Sequence, residues 1–484
     1  MPSSLPAIAW PAVLPMALLT GTGLLVLVLD PFLSGERQDR LAHVSLLGVL
    51  AAGVAVLNAA GDPVAFGGAV TLDGFGRYGS LLVLLVAGLT LLISLPGVRR
   101  AGMDLGEYCA LLLFATLGMM IMVCGADLMT IFLGLETLSI SLYILAGFQR
   151  TDLRSNEAAL KYLLLGAFAS GFLLYGIALI YGATGTIQLG RVAQAVAGGN
   201  LAHPPLLSVG LGLIVIGFGF KVASVPFHAW APDVYEGAPT PVTAYMIAGT
   251  KVAAFAAFIR VLFVGLPALQ MQWSQVLWIL AILTMTVGNV VAIAQSSLKR
   301  MLAYSSIAHA GYILVGLVAA GPQGGASILF YLAGYAAMNL GAFGVILALA
   351  RKNGERVGID ELAGLGLRRP ALGAAMALFM FSLTGVPPTA GFMGKLYLFG
   401  AAMQAGYTGL AVIGVLNSVV SAFYYLRVTV VMYMSRPEGE PDLLPLGPAM
   451  TLAITVAGVL TLALGVLPAG VLDAAVAAVE TLRP

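Results

Sequence analysis

Charge is what this sequence has least of. Asp, Glu, Lys and Arg make up 9% of its 484 residues and hydrophobic residues 60%, against a charged share of about 25% in water-soluble domains. So little charge cannot cover a soluble globule, which leaves an integral membrane protein in contact with the lipid bilayer. Cysteine is nearly absent as well. Cys109 and Cys124 fall on one expected helix, and about 15 residues at a rise of about 1.5 Å each puts them roughly 22 Å apart, too far for a mutual disulfide.

Signature motifs are also missing. The sequence contains no haem attachment motif, CxxC pair, Walker A loop or HExxH, so no cofactor or metal is expected on this chain, and no nucleic-acid partner. One formal dinucleotide fingerprint occurs, Gly74-Phe-Gly76-Arg-Tyr-Gly79. It opens an apolar run with neither a preceding strand nor a βαβ unit expected around it, and it is set aside as chance in a glycine-rich chain. The amino terminus, MPSSLPAIAWP, has no Lys or Arg before its first apolar run; it lacks the charged region of a signal peptide, and the first span is expected to be retained.

What the sequence has in abundance is glycine, proline and long apolar runs, with 60 glycines and 24 prolines. Both residues are more frequent in membrane helices than in soluble ones and point to broken or closely packed helices. Runs of about 17 to 25 apolar residues predict an all-α, polytopic membrane protein of about 14 transmembrane helices. Runs of this length with so little charge favour helices over barrel strands, which would alternate polar and apolar residues. Arg37, Arg40, Arg99, Arg100, Arg150, Arg154, Lys299, Arg300, Arg351, Lys352, Arg356, Arg368, Arg369 and Arg436 fall in one alternate set of loops, while the other set offers little beyond Arg77 and Arg191. The positive-inside rule places the first set in the cytoplasm. An even number of spans then puts both termini on the periplasmic side of a bacterial inner (plasma) membrane.

Two spans carry proline breaks at comparable places in two halves of the chain. Pro226 interrupts the seventh, after Lys221, and Val386-Pro387-Pro388 interrupts the twelfth, before Lys395. Proline removes a backbone donor and clashes with the preceding turn, so both helices are expected to be discontinuous. An odd number of spans separates them, which makes them cross in opposite directions, as in an inverted repeat. The expected division is 1–106 for helices 1–3, 107–265 for a first five-helix repeat (helices 4–8), 266–436 for a second, inverted repeat (helices 9–13), and 437–484 for helix 14. LKYLLLGAFASGFLLYG in the sixth span and LFYLAGYAAMNLGAFG in the eleventh share small-residue and tyrosine spacing.

Most charges lie in loops or at span ends, where long side chains reach the interface, and Arg260 and Arg427 read as such anchors. Glu136, Lys221, Lys251 and Lys395 do not. At the bilayer centre each costs about 2.5 to 3.5 kcal/mol, so the four cost on the order of 10 kcal/mol unless they face one another or water. A single intramembrane lysine is often only a snorkelling or helix-linking charge. Three lysines and a glutamate at depth, two of them beside broken helices, favour function, because an amine out of water can bind and release protons and a neighbouring carboxylate tunes that exchange. Glu157 and Lys161 lie four apart and share a helix face, which fits an ion pair as well as a functional role. His228, past the break, and His309, beside Tyr304, Ser305 and Ser306, each fit a helix-end hydrogen bond or a proton relay.

These residues carry a recognisable pattern. From about Glu107 to Met434 the sequence resembles the antiporter-like proton-translocating subunits of respiratory NADH:quinone oxidoreductase (complex I), most of all its N branch. The specific pieces are LGLETLSISLYILAGF, FKVASVPFHAWAPDVYEGAPTPVTAY, SSLKRMLAYSSIAHAGYILVG and SLTGVPPTAGFMGKLYLF. The resemblance implies that Glu136 is the buried glutamate of the fifth helix, Lys221 the lysine of the broken seventh, Lys251 the linking lysine of the eighth and Lys395 the lysine of the broken twelfth. A lysine at that last position fits the N branch and not the M branch, which has glutamate there. With about 18 residues after Val466, the long lateral helix of the L branch is not expected.

The same resemblance implies partners: other membrane-arm subunits, including antiporter-like homologues and small membrane subunits. NAD, FMN, iron–sulfur clusters and quinone are implied in partner subunits only. Protons would then pass from the cytoplasmic side through water to Lys221, by Lys251 and His228 to Lys395, and out, with a Glu136–Lys221 ion pair as gate. A subunit of a multi-subunit cation/proton antiporter and a mainly structural assembly subunit are the alternative readings.

Overall fold

The computed structural model describes residues 9–33, 35–100, 102–199, 201, 203–349, 358–436 and 446–482. The chain before Ala9, Arg351, Lys352, Arg356, the side chains of Arg37 and Arg100, and the opening of the 437–484 segment lie outside the described residues.

The fold is all-α. Its helices are α1 (Trp10–Leu29), α2 (Asp39–Asn58), α3 (Gly74–Arg100), α4 (Leu105–Cys124), α5 (Leu128–Ala146), α6 (Leu153–Thr184), α7 (Leu189–Ala197), α8 (Pro204–Lys221), α9 (Trp230–Gly237) and α10 (Thr240–Tyr245). They continue as α11 (Lys251–Ile259), α12 (Gln270–Ile293), α13 (Leu298–Ala319), α14 (Gly321–Ala348), α15 (Leu365–Arg368), α16 (Pro370–Thr384), α17 (Ala390–Gln404), α18 (Thr408–Met434), α19 (Pro448–Val466) and α20 (Ala469–Glu480). Among the described residues, 13 continuous helical segments are long and apolar enough to cross a membrane. The short apolar α16, followed across a break by α17, stands where the sequence predicts the further crossing.

Helix starts follow local chemistry. Asp104, Asp127, Asp152 and Ser297 cap α4, α5, α6 and α13 by accepting backbone N–H bonds that a first turn leaves open. Tight pairs form where side chains vanish. A Cβ on Gly134 would meet Met122 N of α4 at 2.7 Å, and one on Gly288 would meet Ala308 N of α13 at 2.6 Å, so α4–α5 and α12–α13 pack backbone to backbone. The segments Thr240–Gly265, Leu298–Ala319 and Gly321–Ala348 are 94% buried over their apolar windows, whereas α1, α2, α6, α18 and α19 are 33% buried. The first group is the centre of the bundle and the second its outer rim.

Both breaks fall where the prolines place them. Residues 222–229 are irregular between α8 and α9, and residues 385–389 between α16 and α17; the Val225–Pro226 and Pro387–Pro388 bonds are cis. The first break keeps its backbone satisfied: Ser224 N donates to Gly219 O at 2.8 Å, Trp230 Nε1 to Phe220 O at 3.1 Å, and Val225 N to Thr284 Oγ1 at 2.9 Å. The span Thr240–Gly265 is not uniform either. Lys251 opens an α-helical stretch held between π turns at Met246–Thr250 and Arg260–Gly265.

Two details correct the sequence reading. A strand does precede Gly74: β1 (Val64–Ala65) and β2 (Val70–Thr71) form an antiparallel hairpin, the only sheet among the described residues. With two-residue strands it forms no βαβ unit, and Gly74 to Gly79 are simply the first turns of α3. Arg260 is not an interfacial anchor. It is buried, with Nη1 and Nη2 each 2.8 Å from the carboxylate of Asp73 and Nε donating to Val123 O at 3.1 Å. Asp73 lies far back in sequence and caps the start of α3 through Gly76 N at 2.7 Å. The same helix start is closed from the other end of the chain, where the Thr481 hydroxyl accepts Phe75 N at 3.0 Å.

Candidate functional site

In the first half of the chain, α5, α6 and α8 meet around Lys221. Lys221 is the last residue of α8 and 3% exposed, so the break leaves its ammonium at a helix end inside the bundle. Nζ donates to Ser139 Oγ at 2.8 Å and to Tyr162 OH at 3.3 Å. Tyr162 is itself fixed, stacked on Trp230 at 4.7 Å between ring centroids and edge-on to Tyr143 at 4.8 Å.

Glu136, on α5, does not pair with Lys221, contrary to the expected gate. Its Oε1 accepts from the Ser170 hydroxyl of α6, while the lysine reaches Ser139, one turn further along α5. A cavity of about 10 Å³, lined by Ser139, Tyr143, Gly166, Ser170 and Lys221 among others, adjoins the lysine and the serine that bonds Glu136. That is room for roughly one water, and its lining offers the polar partners a water needs.

In the second half, one polar cluster takes in Lys251, His309 and Lys395. Lys251 is fully buried, donates to Ser306 O of α13, and has Nζ 5.5 Å from the Tyr335 ring centroid. Tyr335 OH donates to Ser306 Oγ at 2.9 Å. One turn along α13, His309 holds Tyr331 OH at Nδ1 (2.6 Å) and Tyr425 OH at Nε2 (2.9 Å). Its ring stands edge-on to Tyr312 at 5.6 Å, and Lys395 Nζ lies 4.8 Å from the Tyr312 centroid.

Lys395 is anchored by Thr384 O at 2.8 Å, Leu383 O at 3.2 Å and Ser418 Oγ at 2.5 Å. The two carbonyls end α16, so the break creates the acceptors that the lysine uses. None of these three lysines has a carboxylate within ion-pair distance among the described residues. Lys221 is held by hydroxyls, Lys251 by a carbonyl and Lys395 by both, each beside an aromatic face, an arrangement compatible with both the charged and the neutral amine.

The remaining sequence candidates sit apart. Lys161, on α6, is paired with Glu157 Oε1 at 2.6 Å and Asp233 Oδ2 at 2.8 Å. His228 lies in the break, half-buried, with Nδ1 enclosed and without a partner. No hydrogen bond joins it to Lys221, Lys251 or Lys395 among the described residues, and none joins Lys221 directly to Lys251.

Ser139, Ser170, Tyr162, Tyr331, Tyr335, Tyr425 and Ser418 were not singled out from the sequence. Two signals were available. Ser139 is three residues after Glu136 on the same helix face, and the shared tyrosine spacing of the sixth and eleventh spans contains both Tyr162 and Tyr331, each bonded to a titratable group.

Comparison with known proteins gives the same picture. Residues 125–421 match the family described as NADH:quinone oxidoreductase/Mrp antiporter, TM. The NADH-quinone oxidoreductase subunit N of Trichlorobacter lovleyi is 49% identical over 97% of this chain and 96% of its own length. The subunit N of Chloroflexus aggregans is 46% identical over 94% of each. Among solved structures, a chain of respiratory complex I from Thermus thermophilus matches with a TM-score of 0.82 and 39% identity, covering 95% of this chain and 98% of that one. A chain of the Mrp complex from Dietzia, 22% identical with a TM-score of 0.83 and 98% coverage of both, shares the fold. The chain therefore belongs to the NADH:quinone oxidoreductase/Mrp antiporter membrane family, among the subunit N proteins of NADH-quinone oxidoreductase.

Proposed function

We propose that this chain is a proton-translocating membrane subunit of an NADH:quinone oxidoreductase, driven by quinone reduction in other subunits. The observation that carries the reading is the set of buried lysines, each lodged against uncharged hydroxyl or carbonyl partners and two of them beside helix breaks. Protons pass from the basic face of the molecule to Lys221, across a water-bridged gap to Lys251, along Ser306, Tyr335 and His309, and by way of Tyr312 to Lys395 and the opposite face. Glu136 acts on Lys221 through Ser139, Ser170 and the water between them, so a charge shift at its half-buried carboxylate changes the proton affinity of the lysine. Lys161 and His228 stand outside this path. Moving each charge against about 100 mV costs roughly 2.3 kcal/mol, which redox chemistry elsewhere in the complex must supply. NAD, FMN and iron–sulfur clusters belong to those partner subunits.

The two broken spans belong to inverted repeats, helices 4–8 and 9–13. Supporting this, Gly118 and Asp127 stand at the same sequence offset from Gly288 and Ser297, in like roles. Gly118 and Gly288 each let two helices touch, while Asp127 and Ser297 cap α5 and α13 and form the isolated bridges Asp127–Gln188 and Ser297–Gly358. By helix count these bridges lie on opposite faces of the molecule. The basic loops face the bacterial cytoplasm and both ends of the chain the periplasm.

Glu136→Gln, Lys221→Ala and Lys395→Ala, each in an assembled complex, are expected to lose most NADH-driven proton uptake in inverted membrane vesicles. Unchanged pumping in all three would overturn the assignment.

A further inference from the structure

We propose that Asp233 is a positioning residue, the hub of an ion-pair network that holds the Lys221 site in register with the Lys251–His309 site. The inference rests on the proton path above. That path has several steps without a direct hydrogen bond, and at the one between Lys221 and Lys251, which links the two halves of the path, something must fix the distance.

Asp233 sits on α9, the eight-residue helix released by the first break. Its Oδ2 accepts from Lys161 of α6 at 2.8 Å and its Oδ1 from Arg300 of α13 at 3.0 Å. Arg300 Nη1 also donates to Glu236 Oε2 at 2.8 Å, and Lys161 also pairs with Glu157 at 2.6 Å. A single carboxylate thus ties three helices together. A second tie runs from Lys299 Nζ to Ala238 O, the residue after α9, at 2.5 Å.

Each of the three helices carries part of the path or of the wall around Lys221. Lys161 is followed on α6 by Tyr162, which bonds Lys221. Trp230, the first residue of α9, stacks on Tyr162 and donates to Phe220 O, the residue before Lys221. Arg300 stands at the start of α13, which further along carries Ser306, the acceptor of Lys251, and His309. A shift of α9 relative to α13 would therefore move the wall of the Lys221 site against the Lys251 cluster.

Mere stabilisation is a poor account of the network. The side chains of Lys161, Asp233, Arg300 and Glu236 are 31–39% exposed, and ion pairs that wet add little to stability. What a carboxylate shared by cations on two other helices adds is a constraint on how those helices sit.

The test uses the assembled complex in membrane vesicles, reading complex content and NADH-driven pumping per complex. Asp233→Asn is expected to lower pumping per complex at least threefold at normal content, and Asp233→Glu to restore more than half of it. Asp233→Asn combined with Arg300→Gln is expected to lose less than the sum of the two single losses, since both remove the Asp233–Arg300 pair. Unchanged pumping in Asp233→Asn, additive losses in the double variant, or no restoration by Asp233→Glu would overturn the proposal. If Asp233→Asn lowers complex content, Lys161→Gln is read in its place, and full pumping per complex there overturns it as well. Lys221→Ala run alongside separates the two readings: its retention of pumping removes the path itself, whereas its loss beside a normal Asp233→Asn removes only the hub.

Discussion

Burying a guanidinium is tolerable only with a partner in place, and Arg260 has one in Asp73, with Val123 O taking its remaining Nε–H. Breaking one side of such a pair strands a charge, which costs about 3 to 5 kcal/mol. Asp73→Asn is therefore expected to lower the thermal midpoint of the detergent-solubilised complex sharply, while Asp73→Leu with Arg260→Met recovers much of the loss; differential scanning fluorimetry reads both. The pair could not be found from sequence, because Asp73 is 187 positions away from Arg260 and no local pattern marks either. Glu136, Lys221, Lys251 and Lys395 were legible, because an ionisable residue in an apolar run stands out by composition alone. Their hydroxyl partners were not, since serine and tyrosine are ordinary in membrane helices and only the fold shows which of them face inward.

Among the elements, the helix breaks were readable in advance because proline acts locally, through its own missing N–H and its own ring. Close helix pairs are a different case. The sequence holds 60 glycines, and nothing in it says that Gly288 abuts Ala308 while Gly212 meets open space. Gly288→Leu is expected to force α12 from α13 and to cost about 1 to 3 kcal/mol or more through overpacking, lowering the yield of assembled complex on native gels. Gly212→Leu, its control, is expected to leave yield unchanged. The π turns around Lys251 had no sequence signal at all. They come from tertiary packing, since Thr240–Gly265 is enclosed on nearly all sides.

For the whole molecule, the proposed orientation rests on loop charge, and the two native cysteines make it easy to check. Cys109 and Cys124 are buried and free, so a membrane-impermeant thiol reagent leaves the unmodified chain unlabelled. Leu153→Cys, at the start of α6 on the basic face, is expected to label from the cytoplasmic side only, and Leu467→Cys, after α19, from the opposite side only. Both positions are highly exposed, at 83% and 75%. Labelling in the reverse sense would invert the proposed direction of proton flow together with the topology.

The bond between Phe75 N and the Thr481 hydroxyl spans 406 residues. At about 5 to 20 residues per second of synthesis, the start of α3 waits roughly 20 to 80 s for the partner that completes it. The first three helices enter the membrane early but cannot reach their final packing until α20 has been made. Neighbouring subunits that meet the growing chain before then therefore find that end of α3 without its Thr481 partner.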